Sequence, residues 1–90
     1  MINAEQACAL RRAIDLVEAT WHTRSCAGIK SAVLAAAPAC VCQVAVTGGL
    51  FVIDRARLIP NRVIGGGSSA RAAWLDAADF LVREFDSLTK

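Results

Sequence analysis

The sequence predicts an α+β two-layer sandwich in which helices cover one face of a three-stranded antiparallel sheet, in the order helix, helix, strand, strand, strand, helix. Three observations carry this. Apolar residues recur at spacings of three and four from Ala7 to Trp21, and again from Ala70 to Phe85, which is the period of a helix with one buried face. Between these stretches, from Ala39 onward, the pattern alternates with period two. Gly48-Gly49 and Pro60-Asn61 interrupt it, as turns interrupt strands.

The first helix is expected over about residues 4 to 22. Asn3 and Gln6 have the spacing of a capping box, and Ala7, Leu10, Ile14, Val17 and Trp21 share one face. Arg11, Arg12, Asp15 and Glu18 fall on the other and read as solvated surface. Ser25 is placed to cap a second, shorter helix in which Ile29, Ala32, Val33 and Ala36 share a face. Pro38 closes it, because proline disfavours helix at the residue before it.

In the strand that follows, Cys40, Cys42, Val44 and Val46 point one way and Val41, Gln43, Ala45 and Thr47 the other. Gly48-Gly49 reads as a two-residue turn with positive φ at both positions, and Leu50 to Leu58 as the returning strand. If Thr47 faces Leu50, Val46 meets Phe51 and Val44 meets Ile53 under the helices, while Ala45 meets Val52 on the open side. Pro60-Asn61 then turns the chain into a short third strand from Arg62 to Gly65. After Gly65-Gly66-Gly67, Ser68 or Ser69 caps a last helix whose stripe is Ala70, Ala73, Trp74, Ala77, Ala78, Leu81 and Phe85. The expected core is Ile14, Val17, Trp21, Val33, Val44, Val46, Phe51, Ile53, Trp74, Leu81 and Phe85, since alanine contributes little transfer energy per residue.

Length and composition bound the function. Ninety residues fit one domain, 1–90, with a single small core and little room for an enclosed active site. The chain is 56% hydrophobic and only 20% charged, which excludes disorder and implies some apolar surface. No stretch approaches the run of about 18 apolar residues that a membrane span needs, and residues 1–6 contain Glu5 and no continuous apolar run. The expectation is a soluble, cytoplasmic protein without a membrane partner, its cysteines Cys8, Cys26, Cys40 and Cys42 reduced. The net charge of +2 does not itself imply a polyanion. Arg55, Arg57, Arg62 and Arg71 nevertheless precede a run of acids at Asp76, Asp79, Glu84 and Asp86, so a basic and an acidic end are expected.

A sheet covered on one side normally turns polar residues to water on the other. Val41, Leu50 and Val52 depart from this rule. They mark either a partner or dimer surface, with Arg55, Arg57, Arg62 and Arg71 beside it, or a face covered by another element or carrying scattered apolar residues.

Other chemistry is thinner. His22, Cys26, Cys40 and Cys42 can be written as a four-ligand zinc site, but a strand normally buries every second residue, so core thiols account for the same pattern. One histidine and no tyrosine leave no evident nucleophile–base pair. Asp76 and Asp79 lie on a polar helix face, where Asp79 and Arg83 are spaced for an i,i+4 ion pair. Gly66, Gly67, Ser68 and Ser69 precede a helix and offer backbone N–H groups to an anion, although a turn and cap explain the same residues and the P-loop lysine is missing. No catalytic residue, metal or cofactor is expected.

The strand, proline turn, short strand and Gly65-x-Gly67-x-Ser69 leading into a helix with Ala73, Ala77 and Ala78 resemble the C-terminal half of a double-stranded RNA-binding domain over residues 50–81. The resemblance implies that fold topology and places Ala70 and Arg71 where that family carries phosphate-gripping lysines, so Arg71 alone could take that role. In character, as a short, alanine-rich, motif-free chain, it also resembles small accessory or inhibitor proteins of bacteriophages and mobile elements, anti-CRISPR proteins among them. The expected function is a non-catalytic protein-binding module, an inhibitor or accessory factor docking on a larger protein, a ribonucleoprotein or a second copy of itself. The alternatives are nucleic-acid binding through the arginines and a small zinc protein.

Overall fold

The capping box at Asn3 is complete. In the computed structural model, which describes residues 2–20, 25–57 and 63–88, the Gln6 N–H donates to Asn3 Oδ1 at 2.8 Å and the Asn3 N–H donates to Gln6 Oε1 at 3.0 Å. Donors that a helix start leaves unpaired are thereby satisfied. Helix α1, Ala4–Ala19, turns Ala7 and Leu10 into the core and packs Ile14 and Val17 at its margin. It stops short of residue 22 because Thr20 leaves the helical conformation and turns its hydroxyl back onto the Leu16 carbonyl at 2.7 Å. Trp21 and His22 lie outside the described residues.

Helix α2, Ala27–Ala36, begins at Cys26, which makes no side-chain capping bond. Ser25, the expected cap, stands one residue too early and is exposed. Ile29 and Val33 are buried, and the helix closes just before Pro38. Helix α3, Ala70–Leu88, is capped by Ser69, whose Oγ accepts the Ala72 N–H at 3.2 Å. Its buried stripe is Ala73, Trp74, Ala77, Ala78, Leu81 and Val82.

Strands β1 (Cys40–Val44), β2 (Leu50–Asp54) and β3 (Val63–Gly67) form an antiparallel sheet in that order. Helix α3 lies against β3 and β2, with α1 and α2 packed beside it on the same side. The smallest extent, 19 Å, has room for two layers, so the predicted sandwich and element order hold.

The hairpin register differs from the expected one, and the turn explains it. Of the two turn glycines, Gly48 alone has positive φ, at 92°. Its N–H donates to the Ala45 carbonyl at 2.9 Å, and the Ala45 N–H donates to the Gly49 carbonyl at 2.6 Å. This is a three-residue loop with a left-handed glycine in third place, not a two-residue turn. Val44 therefore pairs with Leu50, and Cys42 with Val52. The register moves by an odd number of residues, which turns β2 over: Leu50, Val52 and Asp54 face the helices and Phe51 and Ile53 do not. Val52 is fully buried.

The triple glycine is strand rather than loop. A Cβ on Gly65 would lie 2.4 Å from Ala77 N and 2.7 Å from Ala73 O, and one on Gly67 2.6 Å from Ala72 Cβ. Glycine on β3 opposite alanine on α3 lets backbone approach backbone, so alanine holds more of the core than its transfer energy suggests. Val33, Trp74 and Leu81 are buried as expected, and Ile14, Val17 and Phe85 pack at the margin. Val44 and Val46 are corrections, since both are exposed; Phe51 and Ile53 are half-buried and off the core.

Strand β2 ends at Asp54, well before Leu58, because the Asp54 carboxylate accepts the Ala56 N–H at 3.1 Å and its carbonyl accepts the Arg57 N–H at 3.2 Å. That local turn competes with the ladder. The turn expected at Pro60-Asn61 lies outside the described residues. The expected basic and acidic ends are also corrected: α3 folds back so that Arg57 pairs with Glu84, and Arg11 with Asp86, which intermingles the charges.

Candidate partner-binding surface

With β2 turned over, the uncovered side of the sheet is built from Val41 and Gln43 on β1, Phe51 and Ile53 on β2, and Val63 on β3. Val41, Ile53 and Val63 are paired neighbours and make a row across all three strands; Gln43, Phe51 and Gly66 make the next. Phe51 lies on the Gly66 side, where a Cβ would sit 3.9 Å from Phe51 Cβ, whereas Gly65 and Gly67 face α3. None of Val41, Phe51, Ile53 or Val63 packs against the core, and Val63 is 51% exposed. Gln43 is the one polar side chain of the two rows, and neither row carries a charge. Arg55, two residues beyond Ile53, is exposed at the strand end.

Of the residues expected on this surface, Val41 is there. Leu50 and Val52 are corrections: Leu50 packs against the core and Val52 is inside it. Sequence reading missed Phe51, Ile53 and Val63. Both sides of β2 are apolar, so alternation alone does not choose between them. Asp54 then argues for the wrong choice, because a carboxylate is normally left facing water.

Asp54 is 6% exposed and tolerated inside because it is satisfied. Arg57 Nε donates to Asp54 Oδ2 at 3.1 Å, while Arg57 Nη1 and Nη2 donate to the two Glu84 oxygens at 2.8 Å each. This bidentate pairing holds the Glu84 carboxyl below its usual range and raises the Arg57 guanidinium further, as charge-assisted hydrogen bonds to the ionised forms do. The guanidinium also lies over the Phe80 ring, 5.1 Å from its centroid, so Arg57 staples the end of β2 to α3. Arg71 is likewise structural: its Nη2 donates to the Thr20 carbonyl at 2.9 Å and to that of Val17, closing the C-terminus of α1. Arg62 lies outside the described residues.

Of Gly66, Gly67, Ser68 and Ser69, the residues expected to offer donors to an anion, several are already engaged within the fold. The Gly66 N–H donates to Asp76 Oδ2 at 2.9 Å, Gly67 ends β3 against Ala72, Ser69 takes up the Ala72 N–H, and Ser68 is exposed. A carboxylate thus already takes one of the donors that an anion would need.

Comparison with family models, with curated proteins and with solved structures finds no match. The functional reading rests on the surface itself.

The thiols follow burial. Cys40 is in the core and its thiol is pushed up to about 11, chiefly by burial and then by Asp54; Cys42 is raised too, first by burial and then by Cys26. Among the described residues, no three of His, Cys, Asp and Glu are grouped to hold a metal ion. No helix among them is long and apolar enough to cross a membrane. Asp79 pairs with Arg83 at i,i+4.

Proposed function

We propose that this protein is a non-catalytic protein-binding module, an inhibitor or accessory factor, that docks on a larger protein through its uncovered sheet face. The observation that carries this reading is the uncharged row Val41, Ile53 and Val63 with Phe51 beside it, on a side of the sheet where solvated side chains are the rule. Branched and aromatic side chains on a rigid sheet suit an interface centre, with Arg55 and Gln43 at its rim. The nucleic-acid reading loses support on the same geometry, since Arg57 and Arg71 are committed to Glu84, Asp54 and α1 and phosphate contacts need free cations.

The test compares proteins retained by immobilised wild type and by Ile53→Asp. Partners held by wild type and by an Arg12→Ala control but released by the folded Ile53→Asp variant support the reading; equal retention by all three overturns it. Saturable binding of double-stranded RNA or DNA that falls steeply with salt would transfer the assignment to nucleic acid.

A further inference from the structure

The two edges of the sheet differ. On β3, the outward Gly66 N–H is taken by Asp76 and the ladder is irregular between Val52 and Ile53, both of which blunt an edge. On β1, the bonds from Ala45 to Gly49 and from Arg55 to Ala39 set the ladder phase: the backbone groups of Val41 and Gln43 point to β2, and those of Cys40, Cys42 and Val44 point outward. The Ala37 carbonyl takes the Cys40 N–H at 3.1 Å. Among the described residues, nothing pairs with the outward groups of Cys42 and Val44.

Beside this bare edge stand the two most exposed large apolar side chains of the described residues, Val44 at 70% and Val46 at 108%. Val44 points to the helix side of the sheet, yet no helix reaches it. We propose that the β1 edge is a self-association surface, on which β1 of a second copy pairs antiparallel about a two-fold axis at Gln43.

In this register Cys42 of each copy faces Val44 of the other, and each such pair exchanges both its N–H···O bonds. The occupant is a second copy for three reasons. The pairing is isologous, as closed dimers require. Strand β1, Cys-Val-Cys-Gln-Val, carries no charge, so self-pairing sets no like charges opposite one another. Antiparallel pairing also brings the overhanging Val44 of one copy beside the Cys42 of the other, where the partner's helical layer begins. The two open faces then join into one uncharged sheet face. This inference does not require the open face to bind a protein.

Sedimentation of the full chain over a concentration series tests it, reading mass against the 9.5 kDa of one chain. A reversible monomer–dimer equilibrium is expected, weakened at least about tenfold by Val44→Lys, which charges the edge, and likewise by Gln43→Lys, which sets two ammonium groups opposite each other on the axis. Both positions are exposed, so the monomer stays folded. Ile53→Asp, one strand in from the edge and turned to the open face, is expected to leave the dimer intact. A monomer at every concentration overturns the proposal, as does a dimer indifferent to both lysines. Dimerisation lost in Ile53→Asp alone overturns it as well, by moving the contact to the open face. The open-face reading is judged separately by which partners Ile53→Asp retains.

Discussion

Val44 stands opposite Leu50 in the β1–β2 ladder, and which side of β2 meets the helices follows from that pairing. Neighbouring residues should therefore respond in opposite ways to the same substitution. Val52→Asp sets an unpaired carboxylate against α3 and is expected to cost about 4 kcal/mol or more, enough to unfold much of a small domain. Ile53→Asp keeps its carboxylate at the open face and loses only the cross-strand contacts to Val41 and Val63, so it should cost about 1–2 kcal/mol. Urea denaturation followed by circular dichroism separates the two; comparable midpoints would reject this register.

The glycines of β3 make a second contrast. Gly65→Ala drives a methyl into the backbone of α3 at Ala77 and Ala73 and should destabilise by about 3 kcal/mol, at the upper end of overpacking costs. At Gly66 the nearest atoms to a new Cβ are Leu50 O at 3.5 Å and Phe51 Cβ at 3.9 Å, and its φ is not positive. Gly66→Ala should therefore be neutral or stabilising by up to about 1 kcal/mol, through the unfolded chain. Thermal melts of the two variants check this.

The Arg57 staple has a pH signature. The Glu84 carboxyl lies below its usual 4.5, so its contribution is full above about that pH and fades as pH falls through the lower, folded value. Glu84→Gln should lower stability at pH 7 and make the acid limb of the stability–pH profile shallower. Arg57→Ala, which leaves Asp54 buried without its cation, should cost about 2 kcal/mol, less than a fully buried pair because the Arg57 side chain is 31% exposed.

Thiol chemistry reads out burial directly. Cys8 is exposed and should react first with a thiol reagent at neutral pH, whereas Cys40, buried and raised to about 11, should react only on unfolding. The folded thiol titrates above the unfolded one, so the Cys40 contribution is full below pH 9, the ordinary value. It is lost as pH rises through about 11. Mass spectrometry after timed alkylation gives the order; early loss of Cys40 would contradict its placement.

Local signals were enough for the elements. Asn3 with Gln6, the three-and-four spacing in α1 and α3, Pro38 after α2 and alternation from Cys40 each act within a few residues of chain, where capping and periodicity operate. The partner surface was half legible. An apolar excess with Val41 on the uncovered side could be read, because composition and one strand's alternation suffice. The β2 residues of that surface are not legible, because Gly48-Gly49 fits a two-residue loop as well as the three-residue one that forms, and one odd step in register exchanges the two faces.

The arginines show the remaining boundary. Charge order along the chain is a fact of sequence, but Arg57 meets Glu84 and Arg71 meets the end of α1 only once α3 has packed back over the sheet. Fold class, element order and the existence of an apolar surface were therefore carried by residue type and spacing. Which side of β2 forms that surface, which glycines admit the helix and which arginines are already spent were decided by tertiary packing, since each depends on contacts between residues far apart in the chain.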